Sequence, residues 1–92
     1  LRESKIEKST CAHATTLGWW AIKINPFGIR GFPDRMFLGS GGRILFIEFK
    51  APSKKPRKLQ VYMINKLKDL GFEVHVIDSI PEGKKVFDAK EK

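Results

Sequence analysis

The segment Arg43 to Lys50, RILFIEFK, lies between a glycine-rich turn, Gly39-Ser40-Gly41-Gly42, and a basic loop with two prolines, Ala51 to Arg57 (APSKKPR). Eight residues rich in β-branched and aromatic side chains, with breakers on both sides, form a strand. Their apolar character is nearly continuous, as expected of a strand covered on both faces. The chain must therefore fold so that this segment lies inside a sheet, between helices.

Its neighbours follow from the connections. Asp34 to Leu38 precedes it across the glycine hairpin and is its antiparallel partner. Lys58 to Leu70 reads as the clearest helix, with Leu59, Met63, Leu67 and Leu70 as its apolar stripe and Gly71 at its end. Phe72 to Ile77 (FEVHVI) alternates like a strand. A strand–helix–strand unit crosses over right-handed and sets its two strands parallel, which makes Arg43 to Lys50 the central strand of a mixed sheet.

Upstream, Arg2 to Leu17 predicts a helix with a weak apolar face, closed by Gly18; Ser4 and Glu7 have capping-box spacing, so it could begin there instead. Trp19 to Ile24 predicts a strand, and Asn25 to Pro33 an irregular loop. Ser79 and Glu82 repeat the capping-box spacing ahead of a short helix, weakened by glycine, that runs to about Ala89. The order α-β-β-β-α-β-α describes one α/β domain, residues 1–92, with a mixed sheet flanked by helices and no repeat or linker.

Composition narrows the partners. A net charge of +8 on 92 residues, with 41% hydrophobic residues, points to a globular domain that meets a polyanion. Nucleic acid leads and an acidic membrane surface follows. The apolar runs are too short to span a bilayer, and the charged N-terminal segment has no signal-peptide pattern. A single cysteine, Cys11, allows no internal disulfide and fits a reducing, cytoplasmic setting. The chain starts at Leu1 rather than Met, which suggests residues trimmed or disordered ahead of it.

Within the central strand, Glu48 and Lys50 point to the same side as Phe46, while Leu45, Ile47 and Phe49 fill the other. The two charges could simply neutralise each other at the strand's end. The triplet E-x-K carries little weight alone, since Glu3-Ser4-Lys5 and Glu82-Gly83-Lys84 match it too. The hairpin adds what the triplet lacks, because it brings Asp34 opposite the neighbourhood of Glu48. Two carboxylates then converge beside a lysine, a donor set that Mg²⁺ prefers when phosphate and water complete it. Such an ion could activate water against a phosphodiester, with Lys50 orienting the water or neutralising the transition state.

Pro33-Asp34, followed after a hairpin by Glu48-Phe49-Lys50, resembles the PD-(D/E)xK nuclease superfamily, whose core has the same element order. Glu3-Ser4-Lys5-Ile6-Glu7, Lys23, Arg30-Gly31-Phe32-Pro33-Asp34-Arg35, Gly41-Gly42-Arg43, Glu48-Phe49-Lys50-Ala51-Pro52 and Leu59-Gln60 narrow the resemblance to the VRR-Nuc family, from Glu3 to about Asp78. The resemblance implies a restriction-endonuclease-like fold and a Mg²⁺ or Mn²⁺ ion held by Asp34, Glu48 and the Phe49 carbonyl. It implies Lys50 as the catalytic lysine and Glu7 as the first-helix acid, with Glu3 as its rival and the Ser4 capping box as the ordinary explanation of Glu7. Gln60 matches a position that approaches the site, although a solvent-facing glutamine is the plain alternative.

Lys23, Arg30, Arg35, Lys54, Lys55, Arg57 and Lys58 cluster around the motif loops, where phosphate contacts would give salt-dependent binding. A solvated surface is the alternative for any one of them. Trp19, Trp20 and Phe27 could stack on bases, though the tryptophans fit a core or interface as well. His13 and His75 have no zinc-ligand spacing. The reading is a metal-dependent endonuclease acting on DNA in a bacterial or phage-infected cell. The resemblance to stand-alone VRR-Nuc domains adds a homodimer selective for branched DNA such as four-way (Holliday) junctions. A non-catalytic basic nucleic-acid-binding module is the alternative.

Overall fold

The computed structural model describes residues 1–24 and 29–91. Its elements are α1 (Glu3–Thr16), β1 (Trp20–Lys23), β2 (Arg35–Gly39), β3 (Arg43–Phe49), α2 (Lys58–Asp69), β4 (Glu73–Ile77) and α3 (Ile80–Asp88), with 3-10 turns at Ser40–Gly42 and Ala89–Glu91. The strands lie in the order β1-β2-β3-β4. β2 is antiparallel to β1 and β3, while β3 and β4 run parallel. This is the mixed sheet that the central segment required, with β3 interior.

β3 is buried on both faces for the reason its composition suggested. On one face Leu45, Ile47 and Phe49 pack with Ile6, Phe37, Ile77 and Phe87, beneath α1 and α3. On the other Phe46 packs with Ile64, Leu67 and Val74, beneath α2. Fully burying such a side chain stabilises by roughly 1.5–3 kcal/mol, so the two clusters anchor β3 from both sides.

Two helix readings need correction. The buried row of α2 is Gln60, Ile64 and Leu67, whereas Leu59 and Leu70 are exposed. Apolar residues occur on several sides of this helix, and the row that packs is the one that also carries Gln60 to the end of β3. Leu59 supports the neighbouring loop instead. Gly31 has φ 81°, and a Cβ there would come within 2.7 Å of Leu59 Cγ, so only glycine lets the chain pass this close ahead of Pro33-Asp34. In α1 the N-cap is Arg2, with no side-chain cap; the Ser4–Glu7 capping box does not form because Glu7 turns to Arg35.

The second capping signal is realised in part, since Ser79 Oγ accepts from the Glu82 N–H at 3.3 Å. Gly83 then serves α3 by its size. It is buried against α1, and a Cβ would collide with Thr10 Oγ1. Helix propensity favours alanine over glycine by about 1 kcal/mol, but overpacking costs about 1–3 kcal/mol. Gly83→Ala should therefore destabilise the domain, lowering the urea midpoint without changing the slope. No helix among the described residues is long and apolar enough to cross a membrane.

Candidate active site

The last β2–β3 pair is Arg35 with Ile47. One step further the register sets Asp34 across from Glu48, as the hairpin length implied. Here the two strands part, because Pro33 precedes Asp34 and offers no N–H. The Asp34 carbonyl still accepts from Ile24 N–H at 3.0 Å. On its other side, the Asp34 carboxylate replaces the missing ladder: Oδ2 accepts the Phe49 N–H at 2.7 Å. Burial pushes the Asp34 pKa up; the Phe49 hydrogen bond opposes this, and the charges of Glu7 and Glu3 add to it.

Glu48 is 2% exposed, an unusual burial for a carboxylate. Its Oε2 accepts from Gln60 Nε2 at 2.7 Å and lies 3.4 Å from Lys50 Nζ. Gln60 Oε1 in turn accepts the Arg57 N–H at 2.8 Å. That backbone group can only donate, so the amide is oriented with its nitrogen toward Glu48. Glu48 Oε1 has no hydrogen-bond partner among the described residues. Burial pushes the Glu48 pKa to about 7, with repulsion from Asp34 adding to it and Lys50 opposing.

Glu7 reaches the same end of the sheet from α1, where its Oε2 accepts from Arg35 Nε at 2.7 Å. Glu7, Asp34, Lys23 and Arg30 border a hollow of about 310 Å³. Exposed Lys54, Lys55, Arg57 and Lys58 occupy the segment between Lys50 and Gln60, both of which touch Glu48, so this basic segment borders the site. Two residues differ from their expected surface role. Gln60 is buried with both ends of its amide engaged, and Arg35 is half-buried and paired with Glu7. Neither pairing could be read from neighbouring residues; the one local signal was Gln60 three positions after Arg57, the spacing of a first-turn cap.

Trp19 is buried in the core with Arg43 4.5 Å over its ring, while Trp20 is exposed. Phe27 lies outside the described residues. His13 pairs with Asp88 and His75 with Glu73, each at 2.6 Å, and neither faces the site.

Among the described residues no three His, Cys, Asp or Glu side chains form a ready-made metal-binding group. The residues nonetheless fit a hard divalent cation. Mg²⁺ commonly takes one or two carboxylates and completes its shell with water and phosphate oxygens. Asp34 and Glu48 supply two, and the bare Glu48 Oε1 is a buried acceptor that such an ion would satisfy.

No protein-family model matches the sequence. A phage protein named "Putative nuclease p44", from Acyrthosiphon pisum secondary endosymbiont phage 1, is 39% identical over 79 residues, covering 86% of this chain and 85% of that one. A solved VRR_NUC domain superposes with a TM-score of 0.85 at 25% identity, covering 94% of each chain. The chain belongs to the VRR-Nuc family. In this VRR-Nuc domain the Pro33-Asp34 and Glu48-Phe49-Lys50 motifs lie side by side where β2 and β3 part.

Proposed function

We propose that this VRR-Nuc domain is a divalent-metal-dependent endonuclease that hydrolyses DNA phosphodiester bonds. The observation that carries the reading is the pairing of Asp34 with a buried Glu48 whose Oε1 is unpartnered, beside Lys50. Asp34, Glu48 and the Phe49 carbonyl would hold Mg²⁺ or Mn²⁺. When bound, the ion lowers the pKa of water and offsets charge on the phosphoryl oxygens. Lys50, 13% exposed at its side chain, places a cation beside Glu48 where the attacked phosphate would sit. Gln60 fixes the rotamer of Glu48, and the exposed lysines and arginines of the Lys54–Lys58 segment bind the backbone on either side of the cut.

The family resemblance further supports a homodimer, with two sites across a dyad suited to branched DNA such as a four-way junction. No base-reading element is evident in the sequence, which favours structure-selective over sequence-specific cutting. The test uses labelled junction and linear DNA with Mg²⁺, Mn²⁺ or chelator, and Asp34→Asn as control. Junction cutting that needs metal and Asp34 supports the reading. Persistent binding with no metal-dependent cutting of any substrate overturns it in favour of a non-catalytic binding module.

Gln60→Ala tests the support of Glu48 separately. Losing a group that orients a metal ligand costs about 10–100-fold in metal affinity or activity. The variant should keep its DNA affinity and lose Mn²⁺ affinity by that factor in calorimetry.

A further inference from the structure

We infer that Arg35 is a positioning residue that holds Glu7 out of the metal ligand set, so that the site takes one divalent ion rather than two. The inference rests on the nuclease reading above and concerns the acid of α1.

The Arg35–Glu7 pair is largely withdrawn from water. The Nε–Oε2 distance is 2.7 Å, and the side chains are 21% and 15% exposed. Pairs this shielded differ from surface ion pairs, because removing one member leaves the other desolvated and uncompensated. Arg35 follows Asp34 directly, so its side chain leaves β2 on the opposite face and meets α1. Glu7 and Asp34 nevertheless border one hollow, and the charge of Glu7 is felt at the Asp34 carboxyl. That hollow is where an ion bridging Glu7 and Asp34 would lie.

Its surroundings disfavour a second dication. Lys23 is the register partner of Arg35 and borders the same hollow. An ion bound there would have to take Glu7 from Arg35, leave the guanidinium half-buried without its partner, and add two positive charges beside Arg35 and Lys23. Glu3, the other acid of α1, is exposed and has no such partner among the described residues. The bare Glu48 Oε1 belongs to the other ion position, between Asp34 and Glu48, where Lys50 is the nearby cation.

The experiment is a Mn²⁺ titration of the full chain by calorimetry and by electron paramagnetic resonance, without DNA. The variants are Glu7→Gln, Arg35→Met, Arg35→Lys, Glu48→Gln and the double variant Glu7→Gln with Arg35→Met. The expected result is one Mn²⁺ per wild-type chain, lost in Glu48→Gln and bound within about threefold of wild-type affinity in Glu7→Gln, short of the ten- to hundredfold loss of a ligand-supporting group. Arg35→Met should bind a second Mn²⁺ that the double variant loses, and Arg35→Lys should keep to one. Two ions in the wild type, or a tenfold or greater loss of affinity in Glu7→Gln, overturn the inference while leaving the nuclease reading intact. The Glu7→Gln arm decides the matter even if Arg35→Met does not fold. Absence of any Mn²⁺ binding that depends on Glu48 overturns the nuclease reading, and the inference falls with it.

Discussion

Lys50→Ala should slow metal-dependent DNA cleavage by on the order of 10²–10³-fold, the usual cost of removing one preorganised group from a charged transition state. DNA affinity should change little, because the exposed cations of the Lys54–Lys58 segment remain. The variant has two effects, and pH separates them. Lys50 lies 3.4 Å from Glu48 Oε2 and opposes the upward shift of that carboxyl. Without it, Glu48 is driven higher still and is protonated at neutral pH, which weakens the proposed metal site. Raising the pH restores the carboxylate but not the missing cation. Residual cleavage should therefore climb more steeply with pH than in the wild type and level off well below it. A rate that matches wild type at any pH would remove Lys50 from the chemistry.

The second large effect concerns stability. In chelator, the folded protein should become less stable as pH rises from about 4.3, the ordinary pKa of an unfolded glutamate, to about 7, where Glu48 titrates in the fold. Through that window the folded chain holds a proton that the unfolded chain has released, so stability falls with pH. The Asp34 carboxyl, also raised by burial, acts in the same direction. Glu73 acts the other way: despite burial, Lys90 and His75 hold it below the usual range, so its contribution is lost only as pH drops through acid values. Between pH 5 and pH 8 the loss from Glu48 alone should be about 3 kcal/mol, given 1.36 kcal/mol per unit up to its titration near 7. Glu48→Gln should flatten the profile in urea unfolding. Mn²⁺ at a hundred times its dissociation constant should restore about 2.7 kcal/mol to the wild type at pH 8. A wild-type profile that is flat or rising over this window would contradict the buried, repelled carboxylate.

The central strand and its register were legible because they rest on short-range constraints. A hairpin of known length and a side-chain period of two leave Asp34 little choice but to face Glu48. The helix faces were less legible. α2 carries Leu59, Val61, Tyr62, Met63 and Ile64 in close succession, and hydrophobicity alone does not choose among their sides. The deciding residue is polar: Gln60 belongs to the buried row because Glu48 lies beneath it. Glu7 was harder still. Its spacing from Ser4 suggested a local cap, while its partner, Arg35, is 28 positions away in sequence.

The hydrogen bond from Phe49 N–H to Asp34 has a consequence for how the site can be disabled. One carboxylate oxygen, Oδ2, is committed to closing the strand end, which leaves Oδ1 as the less encumbered donor. Asparagine at this position is isosteric but not equivalent. Its one oxygen must take over the Phe49 bond, so the group that replaces Oδ1 is an NH₂. Beside Glu48, that neutral amide removes the carboxylate repulsion that Asp34 exerts. Asp34→Asn should thus melt above the wild type in chelator at pH 8 and gain nothing from Mn²⁺. The wild-type pair keeps two like charges together at some expense to the empty fold, a tension that exchanging a single oxygen for NH₂ would relax.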